Sequence, residues 1–287
     1  MPHHAVTEPI PVVRSASGRF LVHGVPAASD NLVWVLVDSA SGECAIVDGP
    51  EASGALALIA SQGLTLTTIL NTHGHGDHVG VNHDLAGRGL LAGLRVVGGA
   101  NSRLPIPGIN EPVDEGALVR FASGNLRVLA TDGHVTGHIA FVLEDLVFVG
   151  DTLFAGGCGY LFDGPPAAMH LSLKKLAGLA PETHVFCAHE YTEDNLRFAW
   201  SVEPGNAALA ARIASAVPAR SRGECLVPTT IGLERETNPF VRSSSPEIAA
   251  AVAAAMKQEP SDSADVFRLT RALKDRRDYR AAPWPPS

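Results

Sequence analysis

The sequence predicts an α/β layered domain over residues 1–190, followed by a helical appendage over 191–287. Three observations predict it. Short β-type runs alternate with helical stretches as far as His189. Four helical segments then fill most of what remains. Several of the runs before His189 also deliver a polar residue at their carboxyl end, an edge where α/β folds tend to build sites.

The elements follow in chain order. Phe20–Val22, Leu32–Val37 and Cys44–Val47 are β-type runs, and the Ser-Gly turn between the last two favours a hairpin. Glu51–Gln62 reads as a helix ended by Gly63. Thr67–Leu70 is a strand leading into a histidine-rich segment, and the region after it reads as loop-rich. Strands are expected at Leu94–Val97 and Leu126–Ala130, with a hairpin through Ile139–Leu143 and Leu146–Val149. Pro165-Pro166 opens a helix to about Leu179, because proline is tolerated in a first turn. Val185–Ala188 is one more apolar strand. Beyond it Glu193–Val202, Ala207–Ala216, Glu247–Lys257 and Asp265–Arg276 read as helices, with caps from Ser245-Pro246 and the Ser261–Ser263 stretch.

Composition narrows the function classes. The 287 residues are 46% hydrophobic and 18% charged, which is globular. Lysine and arginine number 22 against 30 acidic residues, a net charge of −8. An acidic chain repels phosphate backbones, so nucleic acid is not an expected partner. No apolar run is long enough to span a bilayer. The polar stretch Met1–Arg19 lacks the pattern of a signal peptide. Cys44, Cys158, Cys187 and Cys225 show no paired spacing, so all four read as buried thiols in a reducing, cytoplasmic compartment.

The chemistry concentrates in Asn71-Thr72-His73-Gly74-His75-Gly76-Asp77-His78. Three imidazoles and a carboxylate within six residues suit zinc, iron or manganese, and the lack of nearby thiolates argues against a structural zinc finger. Ligand spacings of two, two and one suit a loop after a strand, with Gly74 and Gly76 letting the backbone turn. His134, His138, Asp151 and His189 follow later strands and are further candidates. His3, His4, His23, His83, His170 and His184 read as ordinary surface or core residues.

His73-x-His75-x-Asp77-His78 with His134, Asp151 and His189 resembles the metallo-β-lactamase superfamily. Longer segments narrow the resemblance to glyoxalase II, the hydroxyacylglutathione hydrolases. These are Gly133–His138, Gly150–Gly159, His189-Glu190-Tyr191-Thr192 and Pro228–Arg242 with its Glu234–Phe240 core. The resemblance implies a four-layer αββα sandwich with a C-terminal helical domain. It implies two divalent metal ions, zinc, iron or manganese. One is held by His73, His75 and His134, the other by Asp77, His78 and His189, and Asp151 bridges them. Asp77 and Asp151 are its catalytic carboxylates, and His138 supplies a supporting hydrogen bond. The implied substrate is a small-molecule thioester, S-(2-hydroxyacyl)glutathione such as S-lactoylglutathione, cut by a monomeric enzyme.

Tyr191, Arg271 and Lys274 match glutathione-binding positions. Arg271 and Lys274, three residues apart, can face one side of a helix packed down by Val266, Leu269 and Leu273. Tyr160 stands where the family usually has Lys or Arg, and Phe162 where some members have Tyr. Asp48-Gly49-Pro50 inverts the usual Pro-Gly order, with little expected consequence. The alternatives are a persulfide dioxygenase with a single iron and a thioesterase for another low-molecular-weight thiol, with a lactonase, RNA processing on the same fold and a catalytically silent metal-binding module less favoured. The helical half counts against the first, and Tyr160 keeps the second in view.

Overall fold

The computed structural model describes residues 4–284, so His3 lies outside the described residues. Seven strands form one sheet in chain order: β1 (Val13–Arg14), β2 (Phe20–Ala27), β3 (Asn31–Asp38), β4 (Glu43–Val47), β5 (Thr65–Leu70), β6 (Arg95–Gly99) and β7 (Glu111–Val113). The first four are antiparallel and the rest run parallel to β4. Helices α1 (Ser53–Ser61) and α2 (Gly76–Gly87) make the crossovers on either side of β5.

The second sheet has six strands. They are β8 (Leu118–Phe121), β9 (Gly124–Ala130), β10 (Ile139–Leu143), β11 (Leu146–Gly150), β14 (His184–Cys187) and β15 (Thr229–Thr230). A small ribbon of β12 (Leu153–Phe154) and β13 (Gly157–Cys158) follows β11, and α3 (Pro166–Ala177) leads to β14. The last part holds α4 (Thr192–Val202), α5 (Ala207–Ser221), α6 (Ile231–Thr237), α7 (Pro246–Met256) and α8 (Ser263–Arg276).

Strand alternation explains the layers, since successive side chains point to opposite faces. On β3, Val33, Val35 and Val37 pack with Ala55 and Ile59 of α1 and with Val79 and Leu85 of α2. Leu32, Trp34 and Leu36 face the other way, into a core shared with Phe141, Phe148 and Phe186 of the second sheet. Trp34 meets Phe186 edge-on at 5.0 Å, and its Nε1–H donates to the Cys187 carbonyl at 2.9 Å. Burying each such ring contributes on the order of 2 kcal/mol. Met169, Leu173 and Leu176 of α3 cover the second sheet, completing an αββα sandwich. The same core continues into Phe198, Phe240 and Phe267, and β15 adds a strand from beyond residue 190 to the second sheet.

Several elements differ from expectation. The segment after β5 is not a loop throughout: α2 starts at Gly76, so Asp77 and His78 sit in a helical first turn. β7, β8, β15 and α6 were not expected, and α5 runs on to Ser221. Ser245 occupies the α7 cap position, but its hydroxyl bonds Glu203; the α8 cap does come from the Ser261–Ser263 stretch, where Asp262 accepts from the Asp265 N–H. Among the described residues no helix is long and apolar enough to cross a membrane.

Candidate metal and substrate site

The carboxyl ends of β5, β9, β11 and β14 converge where the two sheets are joined. Ile139 N–H bonds the Thr72 carbonyl at 2.9 Å, and Leu32 N–H bonds the Ala188 carbonyl at 2.7 Å. This brings the seven expected ligands together. His75 Nδ1 lies 2.9 Å from His73 Nε2 and 3.0 Å from His134 Nε2. His78 and His189 aim their Nε2 atoms at Asp151 Oδ1, each at 3.4 Å, while Asp151 Oδ2 is 3.4 Å from His134 Nε2. Asp77 Oδ2 is 3.4 Å from His189 Nε2 and 3.8 Å from His78 Nε2. One oxygen of Asp151 therefore faces each of two donor groups: His73, His75 and His134 on one side, and Asp77, His78 and His189 on the other.

The donor set fits divalent cations. Asp151 Oδ1 and His78 Nε2 are buried without a hydrogen-bond partner among the described residues. Leaving such atoms unpaired is costly, and a cation between them would satisfy both. Burial pushes the pKa of His73, His75 and His134 down, so these rings are held in the neutral form that coordinates metals. At His78 and His189 burial is outweighed by the facing carboxylates, Asp151 foremost, and the imidazoles are pushed up instead. A divalent ion would take over those same carboxylate oxygens.

The far side of His73, His78, His134 and His189 is tied down, which fixes the nitrogen facing the centre. His134 Nδ1–H donates to the Tyr160 carbonyl at 2.6 Å, and His189 Nδ1–H to Asp30 at 2.9 Å. His78 Nδ1–H donates to Asp48 at 3.0 Å, and Asp48 also accepts from Thr72 N–H and Oγ1–H. His138 is no part of either donor group; its Nε2 accepts from the Asp151 N–H at 3.2 Å, the expected supporting bond. Gly74 is needed for close approach, since a Cβ there would meet the Leu104 carbonyl oxygen at 2.5 Å, whereas Gly76 faces open space.

Asp48 and Asp30 are the residues that sequence reasoning missed. Asp48 follows β4 just as Asp151 follows β11, and that strand-end position was the available signal. The Asp48-Gly49-Pro50 turn carries, at Asp48, the carboxylate that orients His78. Asp48→Ala should leave the seven ligands present yet weaken metal retention about 30-fold, within the usual range for outer-shell partners. Competition against a chelator measures it; unchanged retention would remove Asp48 from this account.

Next to the cluster lies a pocket of about 810 Å³, walled by Tyr160, Phe162, Tyr191, Arg271 and Lys274. Tyr191 stacks flat on His189, 4.8 Å away, and its hydroxyl donates to Asp30. Phe162 meets His75 at 5.0 Å and His134 at 5.1 Å, and Tyr160 packs on Phe162. Arg271 and Lys274 lie on no solvated face: they are 6% and 7% exposed. Arg271 donates to Asp275 and to the Cys158 carbonyl, and Lys274 bonds Asn195. Val266 and Leu269 are buried beside them, and Leu273 packs at the margin.

His4 also lines this pocket, its ring edge 5.1 Å from Tyr191 and its Nδ1 3.1 Å from the Glu190 carbonyl oxygen. Nothing in the sequence around it signals that role. Cys158 and Cys187 are buried with their thiols pushed up by burial, as structural cysteines are.

The segment around Glu234 braces the site from the helical half. Glu234 accepts from the Gly156 N–H at 2.9 Å and pairs with Arg212 at 2.7 Å, while Asn238 Nδ2 donates to the Gly157 carbonyl at 2.8 Å. These bonds hold the β12–β13 ribbon that follows Asp151.

Two family models match the chain. Residues 30–189 match the metallo-beta-lactamase superfamily, and residues 190–277 match the hydroxyacylglutathione hydrolase C-terminus. A hydroxyacylglutathione hydrolase of Methylococcus capsulatus is 46% identical over 228 residues, 79% of this chain and 88% of that protein. One of Maricaulis maris is 41% identical over 259 residues, 90% of this chain and 98% of the other.

The chain belongs to the hydroxyacylglutathione hydrolase family.

The two matched segments meet at His189-Glu190, and both contribute residues to the pocket beside the cluster. The crystal structure of ETHE1 from Myxococcus xanthus shares the fold, with a TM-score of 0.62 over 92% of each chain at 22% identity. At that identity the likeness speaks for architecture alone, and the C-terminal match favours the hydroxyacylglutathione hydrolases over the dioxygenase alternative.

Proposed function

We propose that the chain hydrolyses S-(2-hydroxyacyl)glutathione thioesters, S-lactoylglutathione among them, to the hydroxy acid and the free thiol. The observation that carries the proposal is Asp151 facing two three-residue donor groups beside a pocket with buried cations. His73, His75 and His134 would hold one divalent ion and Asp77, His78 and His189 the other, with Asp151 between them. Zinc, iron and manganese all suit this donor set. Bound ions would supply Lewis acidity, polarising the thioester carbonyl and lowering the pKa of a coordinated water towards 7.

The chain's own groups do the remainder. His138, Asp48 and Asp30 hold the ligands in register. Phe162 packs against the His75 and His134 rings, and Tyr160 packs on Phe162, so the two form an apolar lip at the pocket mouth against which a substrate can rest. Arg271 and Lys274 orient a carboxylate of the thiol carrier. The departing thiolate has a parent pKa of about 8.5, so it leaves without a dedicated general acid. We further propose two units meeting near residue 190, a monomer, and a cytoplasmic setting in keeping with four free cysteines.

The test is a thioester assay on metal-analysed protein with several thiol carriers. Two ions per chain and turnover of S-lactoylglutathione are expected. One ion per chain, with oxygen consumed on a glutathione persulfide, would favour the single-iron dioxygenase instead.

Tyr160 bears on the carrier. Its ring is 53% exposed at the pocket mouth and offers a neutral hydroxyl where the family usually has a cation. Charge-assisted bonds are roughly twice as strong as neutral ones. Tyr160→Lys should therefore lower KM for a glutathione thioester about tenfold, or about 1.4 kcal/mol, with kcat unchanged. No change in KM would eliminate the missing-cation argument and point to another low-molecular-weight thiol.

A further inference from the structure

The pocket beside the metal cluster is lined by four cations, Arg271, Lys274, Arg277 and Arg280, and three carboxylates, Asp30, Asp194 and Asp275. Almost all of this charge is already committed. Asp30 serves His189 and Tyr191. Arg280 holds Asp194 through two bonds of 2.9 and 2.7 Å, and Arg271 holds Asp275 through two of 3.1 and 2.6 Å. Lys274 bonds Asn195 and sits 5.7 Å from the centroids of the Phe198 and Phe240 rings. Arg277 alone among the lining cations has a side chain with no hydrogen bond or ion pair to any described residue.

The backbone places Arg277 at the pocket rim. Arg277 caps α8 in the left-handed region, at φ 62°, with its N–H on the Lys274 carbonyl. The chain then turns through a 3-10 helix at Asp278–Ala281. Tyr279 Oη–H and Arg280 both bond Asp194 on α4, which pins the turn against the pocket instead of releasing it to solvent. A guanidinium so placed, always charged and forked, matches a planar carboxylate.

We propose that Arg277 is a specificity-determining residue that pairs with a carboxylate of the substrate's thiol carrier. The proposal rests on the thioester reading above and adds to it a residue beyond Arg271 and Lys274. Because Arg277 is exposed, its pairing is partly screened by solvent and its effect is moderate.

The metal-loaded protein is compared with Arg277→Ala, Arg277→Glu and Arg277→Lys. Three quantities are read: KM and kcat on S-lactoylglutathione, the same on an N-acetylcysteamine thioester that lacks carboxylates, and calorimetric binding of S-methylglutathione. Arg277→Ala should raise both KM and Kd for the glutathione compounds about fivefold, equivalent to about 1 kcal/mol. Arg277→Glu should raise them further, and Arg277→Lys should retain most of the affinity. The kcat, the melting temperature and the kinetics on the neutral thioester should not move. Wild-type binding of S-methylglutathione that is unchanged in the Ala and Glu variants would overturn the role of Arg277 and leave the hydrolase reading standing. A lower melting temperature with unchanged KM would make Arg277 merely a favourable charge at a helix C-terminus. A wild type that cuts the neutral thioester but neither binds S-methylglutathione nor turns over S-lactoylglutathione would overturn the glutathione assignment and this proposal together.

Discussion

Asp151→Ala is expected to lower kcat/KM on S-lactoylglutathione by at least about 10³-fold and to reduce metal content below two ions per chain. The geometry sets the size of the effect. Asp151 is the one side chain whose two oxygens face both donor groups, with His78 and His189 on Oδ1 and His134 on Oδ2, each at 3.4 Å. Lewis-acid stabilisation of a transition state is worth several kcal/mol, and about 4 kcal/mol corresponds to a 10³-fold rate. Three further ligands remain in each group, so the variant should still bind one ion weakly, and metal analysis should separate lost metal from lost fold. Metal added to wild-type protein should raise its melting temperature through preferential binding to the folded state, and the variant should gain less. A variant that keeps two tightly bound ions, or that retains wild-type turnover, would mean Asp151 does not bridge.

The elements that position this site were legible in the sequence where strand pattern and ligand coincide. β5, β9, β11 and β14 end in apolar stretches, each followed by a polar residue, and the unbroken runs of β11 and β14 are a direct consequence of burial on both faces. The helix α2 was not legible. Its first turns contain Gly76, Asp77, His78 and Gly80, poor helix formers with no apolar stripe. Tertiary packing imposes it: a Cβ at Gly80 would fall 2.0 Å from the Pro50 carbonyl oxygen, so the helix nests on the Asp48–Pro50 turn. β7 contains a proline and has only three residues, and α6 has seven, too short for periodicity to speak. Asp48 offered only its position after β4 as a signal, and Asp30 offered none, because a lone carboxylate carries no spacing pattern; the folded geometry brings them to His78 and His189. Arg271 and Lys274 were visible as a pair, but their burial was not. A basic pair at helical spacing usually marks a solvated face, and here the pocket walls of α4 and the β12–β13 ribbon close over it.

That burial sharpens what removing the pair should do. The double variant Arg271→Ala, Lys274→Ala should raise KM for S-lactoylglutathione on the order of 100-fold while kcat changes little. Each cation would make a charge-assisted bond worth about 1.5 kcal/mol or more, and two of them give about 3 kcal/mol. The contact is to a carboxylate remote from the reacting carbonyl, equally useful in the bound and transition states, so its loss is uniform binding energy and appears in KM. Truncation also leaves Asp275, the Cys158 carbonyl and Asn195 short of a partner, so the variant should be less stable and is assayed well below its melting point. A neutral N-acetylcysteamine thioester provides the control, since its KM should be unaffected. Lys274 adds a pH signature. Burial, and then the adjacent Arg271 charge, pull its pKa down to about 7. The protonated amine is the form that binds a carboxylate, so KM for the glutathione thioester should rise as pH climbs through that value. Replacing Lys274 by Met should flatten this part of the KM profile, leaving the kcat profile in place. An unchanged KM in the double variant, or a KM profile through neutral pH that is the same with and without Lys274, would show that the α8 cations do not bind substrate.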